Sequence, residues 1–240
     1  MIRTVLAVLV LVLFGAGAYF AGAHFSLMME PVLSGEEIQK KVDAEDFEGA
    51  IRSVRRLLLD HPGDGALLET LGNLHEQNDE PKKAEAIYRG LLEKNGNDAM
   101  LNFDLARALY RENRISESLA QMAMARSLAK RRAGGDSAGI VIMTHALAGE
   151  IYMQNTREYR KAIPEYAQLL KLDPKRADIR YQLGMAYAYA GQYQSAFGEF
   201  DRIVKENPGT EIAKYAQNAI QYVRERRNPG KSNVLLNYGE

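Results

Sequence analysis

The sequence predicts an all-α chain in which helical hairpins stack one on the next behind a single N-terminal apolar helix. Three observations carry that prediction: an uncharged stretch from Thr4 to Met29, a change after Pro31 to apolar residues at helical spacing, and self-similarity at a period near 34 residues. Composition narrows the remaining classes. The chain has 240 residues, 31 basic and 31 acidic side chains, 46% hydrophobic residues and no cysteine. Without thiols there is no disulfide framework, thiolate zinc site, covalent haem attachment or cysteine nucleophile. Balanced charge gives no global attraction to nucleic acid or to an anionic membrane surface, so no nucleic-acid partner is expected.

Residues 1–30 are read as an anchor or a signal segment. Between Arg3 and Glu30 there is no Asp, Glu, Lys or Arg. At about 1.5 Å rise per residue such a helix exceeds a hydrocarbon core of roughly 30 Å. Ala21-Gly22-Ala23 also fits a cleavage site of a secretory signal, but the apolar run continues beyond it through Phe25, Leu27, Met28 and Met29, which favours an uncleaved transmembrane helix. Arg3 precedes the run, and Glu30, Glu36 and Glu37 are the first charges after it. The positive-inside rule then expects a single-pass membrane protein with a cytoplasmic N-terminus and the bulk extracytoplasmic, periplasmic in a bacterium.

The helical hairpins follow in order. Residues 31–64 form a degenerate copy that keeps Phe47, Ala50 and Pro62, with Ser34 and Glu37 as a capping box for a shortened first helix. Residues 65–98 carry Leu71-Gly72, Ala84, Tyr88 and Leu91, with Pro81 tolerated at a helix start. Residues 99–132 carry Leu105-Ala106, Ile115 and Ser118. Arg131 to Gly139 reads RRAGGDSAG and inserts about nine residues, read from its Gly and Ser content as a flexible loop over 133–141. Residues 142–176 carry Ala148-Gly149, Tyr152, Tyr159, Ala162, Tyr166 and Asp173-Pro174, with one extra residue between the helices near Asn155 to Glu158. Pro164 lies inside the second helix of this copy, where it removes a donor and is expected to bend the helix. Residues 177–210 are the clearest copy: Leu183-Gly184, Tyr187, Gly191, Tyr193, Ala196, Phe200 and Asn207-Pro208. Residues 211–227 form a capping helix ended by Asn228-Pro229-Gly230, and 228–240 a tail.

The spacing has a mechanical meaning. Gly184 and Ala196 permit close approach of the two helices, Leu183, Tyr187, Tyr193 and Phe200 fill the space around it, and Pro208 stops the second helix. These residues resemble the tetratricopeptide repeat (TPR). The resemblance implies a right-handed TPR superhelix, an α-solenoid of about five hairpins plus the capping helix, whose first helices line a concave wall. It implies little about a specific task, because one architecture serves many partners.

On that wall the outward positions are Glu69, Asn73, Glu76 and Gln77, then Phe103, Arg107, Tyr110 and Arg111, and later Tyr181, Met185, Tyr189, Tyr215 and Tyr222. The later, tyrosine-rich half suits an extended or helical peptide with one apolar stretch. The same tyrosines also suit packing between adjacent helices. Some TPR domains hold the carboxylate tail of chaperones in a basic and asparagine clamp; the matching positions here, among them Gly35, Gln39, Glu69, Thr70, Phe103 and Asp104, supply none. Basic clusters at Arg126, Lys130, Arg131 and Arg132 and at Arg224, Arg226 and Arg227 suit an acidic partner or lipid head groups, and cations at helix ends also complement the helix dipole, the favoured role. His24, His61, His75 and His145 show no metal-ligand spacing, and no phosphate loop or nucleophile elbow is present, so no enzyme, metal or cofactor is expected. The sequence is read as a membrane-anchored TPR adaptor that binds protein partners and supports assembly of an envelope complex, resembling in layout cytochrome c maturation proteins. The alternatives are a structural subunit of a secretion, pilus or respiratory assembly, or a cytoplasm-facing regulator of envelope biogenesis.

Overall fold

The computed structural model of the protein describes residues 27, 32–131 and 136–227. Among the described residues there are eleven α-helices and no strand. They are α1 (Gly35–Asp43), α2 (Phe47–Asp60), α3 (Gly65–Gln77), α4 (Pro81–Lys94), α5 (Ala99–Arg111), α6 (Ile115–Arg131), α7 (Asp136–Gln154), α8 (Tyr159–Leu172), α9 (Ala177–Tyr189), α10 (Tyr193–Glu206) and α11 (Glu211–Arg227). The chain divides into two compact units, Met1–Gln121 and Met122–Glu240.

In the N-terminal unit each helix from α1 to α5 packs on the next. Their starts follow from local chemistry. The Ser34 side chain accepts from the Glu37 backbone N–H while Glu37 returns to the Ser34 N–H, a complete capping box. Asp64 and Asp98 cap α3 and α5 by accepting from the second and third amides of each helix. Pro81 opens α4, where its missing N–H would have had no helical partner. Gly72 faces Tyr88 so closely that a Cβ on it would sit 2.5 Å from the tyrosine ring.

The C-terminal unit repeats that device. A Cβ at Gly149 would meet the Tyr166 ring at 2.7 Å, and one at Gly184 the Phe200 ring at 2.5 Å. Consecutive helices from α7 to α11 pack on one another, and α9 also contacts α11, so two first helices lie side by side. Throughout both units the small residue that starts each second helix is sealed: Ala50, Ala84, Ser118, Ala162 and Ala196 are all fully buried. The Ser118 hydroxyl donates to the Ala106 carbonyl at 2.7 Å, which satisfies the one polar atom in this series.

Two expectations need correction. Among the described residues no helix is long and apolar enough to cross a membrane. That overturns the expected single-pass, extracytoplasmic placement and gives no support to the membrane as a partner; the stretch 1–30 on which it rested lies outside the described residues apart from Leu27. The inserted segment is also not the loop expected over 133–141, because α7 begins at Asp136. With 17 and 19 residues, α6 and α7 exceed the 13 or 14 of the helices around them, so much of the insertion extends helices. α8 continues through Pro164, whose ring lies on an exposed face where water can serve the carbonyl that loses its donor. The tail 228–240 lies outside the described residues.

If the glycine–aromatic contact sets the helix separation, Gly184→Ala lowers stability by about 1–3 kcal/mol through overpacking. Gly198→Ala, on the exposed face of α10 with open space around it, raises stability by about 0.5–1 kcal/mol through helix propensity. Urea unfolding followed by circular dichroism checks both; equal shifts in the two variants would sink the account.

Candidate functional site

The helical period places Tyr181, Met185 and Tyr189 on one face of α9, four residues apart. The other face of α9 is taken by Leu183, Gly184 and Ala186, all buried in the unit. On α11, Ala213, Ala216, Ala219 and Val223 are buried, which leaves Tyr215, Asn218 and Tyr222 toward its outer side. Because α9 and α11 are neighbours, these two faces meet in a concavity of about 300 Å³ lined by Tyr181, Met185, Tyr189, Asn218, Ala219 and Tyr222.

The rings are held rather than loose. Tyr181 lies 5.5 Å from Phe200 and Tyr189 lies 5.0 Å from Tyr159, centroid to centroid. The Arg226 guanidinium sits over Tyr222 at 5.0 Å. Tyr189 nevertheless stays 46% exposed and Tyr215 55% exposed. Burial, helped by Tyr222 and Tyr159, holds the Tyr189 phenol above its ordinary value, while the charge of Arg226 acts in the other direction. A second concavity, of about 410 Å³, shares Tyr189 and is lined further by Arg157, Glu158, Tyr159, Arg160, Lys161 and Ala190.

The corresponding face of the N-terminal unit is chemically closed. Buried Glu76 pairs with Arg107, and the Arg111 guanidinium donates to the Glu76 carbonyl. Asn73 accepts from the Tyr88 hydroxyl at 2.8 Å. Arg107 also stacks on Phe103, which is itself buried. Asp104 lies buried, and burial followed by the charges of Glu69 and Asp98 pushes its carboxyl up to about 7. Burial and Asp98 raise Glu69 as well.

The two helix-borne histidines are buried and each lies within hydrogen-bond distance of a carboxylate. His75 Nδ1 lies 2.6 Å from Glu80 and its other nitrogen 3.3 Å from Arg55; burial leads in lowering its pKa. His145 Nδ1 is 2.5 Å from Glu165, and Arg126 reaches the same carboxylate at 2.9 Å. Burial opposes ionisation of Glu165, but the hydrogen bond from His145 and the charge of Arg126 hold its pKa below the ordinary value. Among the described residues no group of three or more His, Asp or Glu side chains is placed to hold a metal ion.

A family model for the tetratricopeptide repeat matches residues 37–99, 70–136 and 147–210, more than half of the chain. The chain belongs to the tetratricopeptide repeat family. No curated protein matches the sequence. Solved TPR structures do share the fold. MamA superposes with a TM-score of 0.60 at 20% identity, over 72% of this chain and 95% of that one. A TPR protein from Parabacteroides merdae gives 0.61 at 16% identity, over 85% and 75%. YrrB, described as a TPR protein with an unusual peptide-binding site, gives 0.55 at 17% identity, over 75% and 88%. The matching family is one of repeat scaffolds suited to protein–protein interaction rather than a catalytic one.

Within this TPR chain the structure brings Tyr181, Met185, Tyr189 and Tyr222 together and leaves Tyr215 exposed outside the concavity. Of Glu69, Asn73, Glu76, Phe103, Arg107, Tyr110 and Arg111, Arg107 and Arg111 both bond Glu76, and Tyr110 is half-buried. Sequence reasoning missed Asn218 and Ala219, although their spacing from Tyr215 and Tyr222 places them on one helix face. It also missed Arg157 and Arg160, which sit beside the turn that is one residue longer than its counterparts.

For Asp104 the sign of the pH effect is fixed. Its folded pKa lies above the unfolded value of about 3.9, so the folded state binds the extra proton and stability falls as pH rises from about 4 to 7. Asp104→Asn removes that loss. Relative to wild type it gains roughly 2 kcal/mol on going from pH 5 to pH 8, read as the difference between urea midpoints at the two pH values.

Proposed function

We propose that this tetratricopeptide repeat protein is a scaffold that binds an extended or helical segment of another protein in the groove between α9 and α11. The observation that carries the reading is the concavity of about 300 Å³ between Tyr181, Met185, Tyr189 and Tyr222. Large rings that stay accessible while their neighbours fix their orientation offer contact area at small entropic cost, the property of interface hot spots. Ridges from two adjacent first helices give a partner side chain walls on both sides. The TPR neighbour YrrB carries a peptide-binding site by its own description, which is consistent with such use of the fold.

The partner-facing set is therefore Tyr181, Met185, Tyr189 and Tyr222, with Tyr215 on the approach. Glu69, Asn73, Glu76, Phe103, Arg107, Tyr110 and Arg111 stay outside the proposal, because their polar groups largely serve one another. Support for assembly of a multiprotein complex follows naturally from a scaffold. The finer role in an envelope complex or in cytochrome c maturation rested on the apolar segment 4–29, and no residue of the groove is particular to it.

The test is selection of peptides from a displayed random library on the full chain, followed by affinity measurement on wild type and on Tyr189→Ala/Tyr222→Ala. Selected peptides should share a large apolar residue and lose at least about tenfold in affinity on the double variant, since central aromatic anchors each contribute on the order of 1–2 kcal/mol. Unchanged affinity in a variant with wild-type thermal unfolding would count against the groove.

A further inference from the structure

The 240-residue chain carries no net charge, with 31 basic and 31 acidic side chains, so any local excess of one sign is a matter of placement. Elsewhere the arginines are largely neutralised. Arg114 pairs with Glu117 at 2.6 Å, Arg126 with Glu165 at 2.9 Å, Arg180 with Glu199 at 3.0 Å and Arg202 with Glu206 at 2.7 Å. Arg55 and Arg131 are exceptions, and the tyrosine groove gathers three more. Among the described residues no carboxylate pairs with Arg157, Arg160 or Arg226.

Those three guanidiniums occupy two sides of one aromatic floor. Arg226 lies over Tyr222, 5.0 Å from its ring centroid. Arg157 and Arg160 line the second concavity, which joins the first at Tyr189. The two other charges there cancel, because Lys161 holds Glu158 at 2.7 Å. Arg157 and Arg160 also flank the N-terminus of α8, where the peptide dipoles add positive potential. Arg157 stands in the left-handed region at φ 54°, in the turn with the additional residue. An apolar cleft bordered on both sides by unneutralised guanidiniums, which favour carboxylate geometry, is complementary to an anion attached to an apolar group.

Resting on the groove reading above, we propose that the occupant is an acidic peptide: one large apolar side chain seats among Tyr181, Met185, Tyr189 and Tyr222, and flanking Asp or Glu side chains meet Arg226 on one side and Arg157 and Arg160 on the other. Charge thus selects among peptides that share the same apolar anchor. The arginines act by attraction and register, and the tyrosines supply most of the contact area.

The test uses the full chain and three fluorescein-labelled peptides with one apolar core, flanked by Glu, Gln or Lys, measured by anisotropy. The Glu-flanked peptide should bind at least about tenfold tighter than the Lys-flanked one, with a preference that shrinks as salt screens the rim. Arg226→Glu and Arg157→Glu should each reduce or reverse the preference, read as the ratio of Glu-flanked to Lys-flanked affinity within each variant. Equal binding of all three peptides, with Tyr189→Ala weakening each, overturns the acidic preference and leaves the groove reading standing. No binding by any peptide overturns both. A dimer in sedimentation that Tyr189→Ala dissolves, or an intramolecular crosslink from position 189 to residues 228–240, means that a second copy or the chain itself fills the groove and overturns a partner peptide.

Discussion

The architecture depends on the contact between a hydrogen atom in place of a side chain on one helix and an aromatic ring on the next. At Gly72, Gly149 and Gly184 a methyl group would come within 2.5–2.7 Å of Tyr88, Tyr166 and Phe200, distances that real side chains do not adopt. The rings of Tyr88 and Phe200 are fully buried by this approach, and each such burial contributes on the order of 2–3 kcal/mol. The degenerate first hairpin shows the same constraint by compensation. Ile38 stands where those three hairpins have glycine, Val54 stands where they have the ring, and both are buried in one cluster. Bulk has moved from the second helix to the first, which keeps the space between them filled.

That contact also orients what is left over. Once Leu183, Gly184 and Ala186 of α9 face the unit, the period of 3.6 residues sends Tyr181, Met185 and Tyr189 to another side. The same holds on α11, where buried alanines push Tyr215 and Tyr222 outward. The candidate face is therefore a consequence of packing elsewhere on the same helices. In the N-terminal unit the same plan produces a different surface, because Arg107 lies between the carboxylates of Glu76 and Asp104, and Arg111 donates to the Glu76 carbonyl and pairs with Asp79. One backbone plan thus yields one face built on buried ion pairs and another that presents aromatic area beside unneutralised guanidiniums.

The turns record the repeat more faithfully than the helices do. Glu45, Asp79, Asn113, Arg157 and Gly191 all have positive φ, at 58°, 55°, 61°, 54° and 77°. Four of these are not glycine, so the geometry of the hairpin imposes the left-handed conformation and the residue tolerates it. The first three are spaced by the same interval, and so are the last two. The wider gap between Asn113 and Arg157 measures the insertion. Composition led toward a loop there, since RRAGGDSAG is rich in small and flexible residues. Residues 136–139 are helical instead, because α7 offers an existing helix to extend and tertiary packing outweighs the weak local preference. Pro164 is the parallel case: a single missing donor on an exposed face does not outweigh the burial of Ala162, Tyr166 and Leu169 on the other.

By itself the sequence determined the helical hairpin, its period, its small residues and the candidates Tyr181, Met185, Tyr189 and Tyr222, because these follow from steric size and from residue spacing along one chain. Its apolar beginning suggested a membrane placement that the described helices do not carry, since length and hydropathy say what a segment is able to do and not where the chain resides. Only the tertiary structure decided that those four side chains share one concavity, that Tyr215 lies outside it, and that Arg157 and Arg160 adjoin it across a repeat boundary. The physical reason is that these relations depend on which helix faces meet. A neighbour's packing fixes that, and local sequence does not encode it.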